Sequence, residues 1–240
     1  MRTVVISQPT YLPWTGYFRI MKEADVYVFL DNVQFEKRSW QSRNRIKSAK
    51  ELGWLTIPTH HSSQSRISDV EIDNSKQWMR QHFNAIKTSY GKAPYFDDYC
   101  SFFKSVFEFR WTNLALLNIY LIEYFANQLG LSPIFVRASK LGLEGKRTNL
   151  LLDICKMFGA NRYVSSIGAK NYMEADGAKS IFEKAGIMVD FLQVNLPKYP
   201  QLFGEFIPEL SVVDLILNCG PESSKILFDE NTAIISKLDR

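Results

Sequence analysis

Asp31 follows directly on an apolar run, Ala24–Leu30, and a carboxylate so placed can take a proton from an attacking amine or hold it in position. A few residues on, Arg38, Arg43 and Arg45 surround Trp40, with Gln34 and Asn44 close by. Guanidinium groups bind phosphate through paired hydrogen bonds, and an indole beside them suits a flat ring. Ser165, Ser166, Gly168, Lys170 and Tyr172 form a third group, in which backbone N–H groups and a lysine can hold an anion or a developing oxyanion. Ser7, Gln8, Tyr11 and Trp14 form a fourth, in a stretch stiffened by Pro9 and Pro13. Gln8 lies between an apolar run and a proline, so its amide needs partners if it is buried. His60, beside His61 in a polar segment, is a candidate general base.

Each group also has a plainer reading. Asp31 can start a turn, the arginines can be a solvated face, and the Ser/Gly stretch can be a loop. Trp14 can be a hydrophobic staple rather than a platform for a ligand ring. No P-loop, dinucleotide fingerprint or nucleophile elbow is present, and no cysteine or histidine spacing suits a metal.

The elements that must position these residues alternate between strand and helix. Thr3–Ser7 reads as a buried strand, Thr15–Glu23 as a helix and Ala24–Leu30 as a second strand. Strand, helix and strand within about thirty residues is a βαβ unit, which implies a parallel sheet and a right-handed crossover. Asn44–Ile57 reads as a hairpin and His60–Arg66 as a polar loop. Helices are expected over Ser75–Tyr90, from Pro94, and over Thr112–Leu129. Strands are expected at Pro133–Ser139, Arg162–Ser166 and Ile187–Val194, with helices at Thr148–Phe158 (capped by Thr148), Ala178–Ala185 and from Ser211, and a weak helix in the last segment. The prediction is one α/β domain over residues 1–240: a Rossmann-like, mostly parallel sheet flanked by helices, with a helical insertion or subdomain around 75–129. In such sheets ligands sit beyond the carboxyl ends of strands, and the chemically active groups all follow strands.

The 240 residues suffice for a sizeable core without staples. Net charge is +4, too weak a bias to imply nucleic acid. Three widely spaced cysteines, no signal-peptide pattern and no long apolar run are the pattern of a cytoplasmic protein without a membrane span.

Several stretches taken together resemble the WbqC-like family of bacterial proteins: SQPTYLPWTGYF from Ser7, DNVQFEKRSWQSRNRI from Asp31, LTIP, APYF, TNLLLDICKMFGANRYVSSIGAKNY from Thr148, and LPKYPQLFGEFIPELSVVDLILNCG from Leu196. The residue before Gln-Pro in that pattern is commonly His, and here it is Ser7. The resemblance implies a role in O-antigen or other surface-polysaccharide synthesis, with transfer of glycine or another acyl unit to an amino sugar. The acceptor would then be a nucleotide-linked amino sugar, with Arg38 and Arg43 on its phosphates, and Trp14 and Trp40 flanking a ring. Amide formation needs an activated carboxyl, so ATP or a carrier-bound acyl donor is implied. A charged tRNA is the one nucleic acid such chemistry would use. Two alternatives remain open: an ATP-dependent adenylating or nucleotidyl-transfer enzyme, and a non-catalytic sugar-nucleotide-binding protein.

Overall fold

The computed structural model describes residues 1–230 and the backbone of 233–237. In chain order the elements are β1 (Thr3–Ser7), α1 (Thr15–Met21), β2 (Val26–Phe29), β3 (Arg43–Lys47), β4 (Leu52–Thr56), β5 (Thr59–His60), β6 (Glu71–Ile72), α2 (Trp78–Tyr90), α3 (Phe96–Glu108) and α4 (Leu114–Gln128). They continue with β7 (Ile134–Arg137), α5 (Arg147–Met157), β8 (Arg162–Ser166), α6 (Lys170–Ala175), α7 (Ala178–Lys184), β9 (Met188–Val194), α8 (Val212–Cys219), α9 (Glu222–Leu227) and β10 (Ala233–Lys237).

The fold is α/β and Rossmann-like. Five strands run parallel in the order β9-β8-β1-β2-β7, and β10 adds antiparallel to β9. The central strands are buried on both faces, which is why they read as continuous apolar runs rather than alternating ones. Val5, Tyr27 and Phe29 pack toward α1, α2, α3, α4 and α8, whereas Val4, Ile6, Val26 and Val28 pack toward α5, α6 and α7. The helices between residues 78 and 128 share the first of these two cores.

From β1 the chain builds β2 and β7 on one side, then returns to build β8 and β9 on the other. The order therefore reverses between β1 and β8. Val5 pairs with Val164, so Ser7 and Ser166, two residues on, end their strands side by side.

Three expectations need correction. Thr148 does not cap α5, which starts one residue earlier; its hydroxyl donates to Asp176 at 3.2 Å. His60–Arg66 is not wholly a loop, because Thr59–His60 pairs with Glu71–Ile72. The final segment is helical only over Glu222–Leu227. Residues 233–237 form β10, since its backbone groups pair with the free edge of β9, and 231, 232 and 238–240 lie outside the described residues.

His82 on α2 is the one deeply buried histidine. Its Nδ1 meets the Tyr11 hydroxyl at 2.9 Å, and its ring packs edge-on to Trp78 and Phe107. Burial pushes its pKa down to about 4, against a smaller opposing effect from the Thr56 backbone. The folded state therefore resists a proton that the unfolded chain accepts near 6.5, and the stability present above that pH is lost as pH falls toward 4. Between about pH 7 and 4.5 this group is expected to cost about 2–3 kcal/mol. Urea unfolding of wild type and His82→Gln at both pH values checks this, and an equal loss in the two proteins would remove His82 from the acid transition.

Candidate functional site

The segment from Gln8 to Trp14 leaves the end of β1 and reaches α1 without regular structure. Pro9 and Pro13 have no N–H, and Tyr11 and Leu12 are fully buried, so the carbonyls of this segment need donors from elsewhere. They find them. Tyr17 Oη donates to the Gln8 carbonyl at 3.1 Å, and Asn118 Nδ2 to that of Pro9 at 3.1 Å. Asn44 Nδ2 donates to those of Tyr11 and Leu12 at 3.2 and 2.7 Å, and the Val212 N–H to that of Pro13 at 2.8 Å. Asn118 also donates to the Gln41 carbonyl at 2.8 Å, and Gln41 Nε2 to Gln8 Oε1 at 2.8 Å. Gln8 thus has the partner that its position demanded.

This anchored segment forms one wall of a pocket of about 200 Å³, with Thr10, Trp14 and Tyr17 facing Trp40, Arg45 and Glu209. The indole of Trp14 lies over Gly16, where any Cβ would collide with the ring. Opposite it the β3–β4 hairpin presents a cation–π stack. Arg45 pairs with Trp54 in the strand register, and Trp40 stacks on Trp54 with centroids 5.8 Å apart. The guanidinium of Arg43 lies 4.4 Å from the Trp54 ring, and that of Arg45 lies 5.5 Å from Trp40. Both indoles are 48% exposed. Among the described residues neither arginine forms an ion pair, and Arg45 Nε is buried without a hydrogen-bond partner.

The third wall is the segment between β9 and α8. Its hub is Asp214, which accepts from Tyr90 Oη at 2.9 Å, Tyr199 Oη at 2.9 Å and Gln201 Nε2 at 2.7 Å. Burial pushes the Asp214 carboxyl above the ordinary range, while these hydrogen bonds pull the other way. Lys47 Nζ, on β3, donates to Gln201 and to the Glu205 carbonyl. The Ser211 N–H then donates to the Arg45 carbonyl at 3.1 Å.

A second cluster lies along the carboxyl edge of the sheet. Ser7, Gln8, Ser165 and Ser166 flank the strand reversal, followed by the turn carrying Gly168 and by Lys170, which is 3.7 Å from Glu174. Asp31 and Arg137 end neighbouring strands on the same edge. Asp31 is wholly buried and accepts from Arg137 Nε at 2.9 Å, Ser139 N at 2.8 Å and Ser139 Oγ at 2.7 Å.

The structure thus brings Trp14 and Trp40 together at one pocket, and places Ser7, Gln8, Ser165, Ser166, Gly168 and Lys170 at or just past the neighbouring ends of β1 and β8. It places others differently from the expectation. Tyr11 is a core residue bonded to His82. Asn44 lines the pocket, with its amide N–H groups spent on the Tyr11 and Leu12 carbonyls. Asp31 holds Arg137 and Ser139 and exposes no surface to a substrate. Arg43 stacks on the hairpin outside the pocket lining. Gln34 is exposed and bonds the Ser63 carbonyl at 2.7 Å, and Arg38 is exposed with φ 59°. Tyr172 is a half-exposed residue of α6. His60 lies in a separate open depression of about 520 Å³ with Asp73 and Arg110, 3.4 Å from the Asp73 carboxylate.

Trp54, Gln41, Asn118, Arg137 and Glu209 were not read from the sequence. Trp54 carried a usable signal, because Arg43 and Arg45 alternate along a strand that pairs with it. The others gather only through the tertiary fold. Among the described residues no group of three or more His, Cys, Asp or Glu is placed to hold a metal, and no helix is long and apolar enough to cross a membrane.

Comparison with known proteins gives the lineage of this arrangement. The profile of the WbqC-like protein family matches residues 8–226, which contain every residue lining the pocket. The chain belongs to the WbqC-like protein family. It is also 31% identical over 231 residues to the uncharacterized protein Rv1507c of Mycobacterium tuberculosis, covering 95% of this chain and 98% of that relative. No solved structure matches the chain significantly.

Two substitutions separate structural from ligand-facing roles. Asn44→Ala strands two buried carbonyls and is expected to cost about 2–6 kcal/mol, at roughly 1–3 for each unsatisfied group. Asp31→Asn removes the charge facing Arg137 and is expected to cost about 1.5–3 kcal/mol. Chemical denaturation measures both, and an unchanged midpoint in either variant would return that side chain to the list of possible ligand contacts.

Proposed function

We propose that the protein is a cytoplasmic transferase of surface-polysaccharide precursor synthesis that moves an acyl or aminoacyl group, glycyl among them, onto the amine of a nucleotide-linked amino sugar. The observation that carries this reading is Arg45, a guanidinium without an ion pair among the described residues, on the lining of a pocket walled by Trp14 and Trp40. A guanidinium so placed can take an anion through charge-assisted hydrogen bonds. The indoles beside it offer faces to a sugar or base ring. Arg43 continues the positive charge along the hairpin, so a diphosphate could lie across Arg45 and Arg43 with the sugar in the pocket.

The crevice at the strand reversal would hold the activated donor. Ser7, Ser166 and Lys170 there offer hydroxyl and ammonium donors to a carbonyl oxygen or a phosphate. In the transfer step the sugar nitrogen attacks the donor carbonyl carbon and a C–N bond forms. The bond from that carbon to phosphate oxygen, thioester sulfur or tRNA ester oxygen then breaks, and the amine proton leaves with solvent or the departing group. Asp31 contributes by fixing Arg137 at the same edge.

One observation favours a second reading, a sugar-nucleotide-binding protein without turnover. Asp31, the carboxylate that follows β2, is already saturated by Arg137 and Ser139. Intrinsic tryptophan fluorescence during titration with UDP-glucosamine tests the shared part of both readings. Arg45→Ala is expected to weaken binding about 10- to 100-fold, as loss of a charge-assisted contact does. Unchanged affinity in that variant would take Arg45 off the phosphates. Amide formation on the sugar, assayed with ATP and glycine, an acyl thioester or glycyl-tRNA, identifies the transferase; binding without amide from any donor supports the second reading.

A further inference from the structure

The geometry points to Glu209 as the residue that selects an amine-bearing ring for the pocket, an inference that rests on the pocket taking a sugar. Glu209 lines the pocket together with Trp14, Tyr17 and Trp40. Among the described residues its carboxylate makes no hydrogen bond and no ion pair. It is therefore available to a ligand, and as an acceptor-only group it favours a cation. Aromatic faces around it favour the same charge through their quadrupoles. Arg45 supplies the opposite charge on the same lining. A ligand that satisfies both must carry an anion and an ammonium, with an apolar ring face between them. A phosphorylated or nucleotide-linked amino sugar has that pattern, whereas a neutral hexose leaves the carboxylate unpaired.

The backbone supports the assignment. Glu209 sits at φ 57°, in the left-handed region that side-chain-bearing residues adopt at a cost. The segment is held there from both sides: Gln201 bonds Ile207 in both directions at 2.9 Å, and Ser211 bonds the Arg45 backbone. Glycine would occupy that conformation freely. The Glu209 backbone is thus fixed at the pocket, where the residue is exposed, and the anchoring residues are themselves tied through Asp214 and Lys47. This is the pattern expected where local strain serves a site.

The test compares UDP-glucosamine with UDP-glucose, and dTDP-4-amino-4,6-dideoxyglucose with dTDP-6-deoxyglucose, by tryptophan fluorescence on wild type, Glu209→Gln and Glu209→Gly. Wild type is expected to prefer at least one amine over its hydroxyl partner by about 10-fold or more. Both variants should lose that preference while keeping wild-type affinity for the hydroxyl probe, and Glu209→Gly should melt no lower than wild type. A preference that survives in Glu209→Gln, or no preference in wild type, overturns the assignment and leaves the nucleotide-sugar reading standing. Absence of fluorescence response to all four probes in wild type overturns that reading and this inference with it.

Discussion

A buried backbone carbonyl must have a donor, and the segment between β1 and α1 has five that regular structure does not serve. The donors come from α1, β3, α4 and the start of α8. Those four elements are far apart in sequence, so satisfying one short loop fixes the relative positions of much of the molecule. The prolines make the requirement stricter, because they remove two N–H groups and hold φ while leaving their own carbonyls to be served. Trp14, Thr10 and Tyr17 reach the pocket because this loop can adopt little else.

The same economy appears in the third wall. Asp214 is a buried carboxylate surrounded by hydroxyl and amide donors, with Lys47 near enough to bond the same glutamine. Its hydrogen bonds link α2, α8 and the segment carrying Glu209 into one unit. Buried polar networks of this kind stabilise little in net terms but specify one arrangement when every member is satisfied. By contrast, the arginines of the hairpin are left without acidic partners and rest on indole faces.

The order of the Rossmann-like sheet places the strand reversal between β1 and β8. The aromatic pocket lies beside that reversal rather than in it, because it is built from Thr10 onward, past the end of β1.

The sequence by itself determined the local elements. β1 and β8 match their expected bounds residue for residue, because a strand buried on both faces is a plain apolar run ended by polar residues. Gly130 ends the longest helix as its position suggested, at φ 75°. Only the tertiary structure decided which polar residue past the strand ends lines an opening and which serves a carbonyl. Tyr11, Asn44 and Asp31 look as available as Trp14 and Arg45 when read along the chain. They are consumed by His82, by the loop backbone and by Arg137, partners at least 32 residues away. Glu209 gave no sign at all, because a left-handed glutamate is a choice made by anchors on either side and not by its own residue type. Side-chain availability is the remainder after all long-range hydrogen bonds are made, and the one-dimensional chain does not contain that sum.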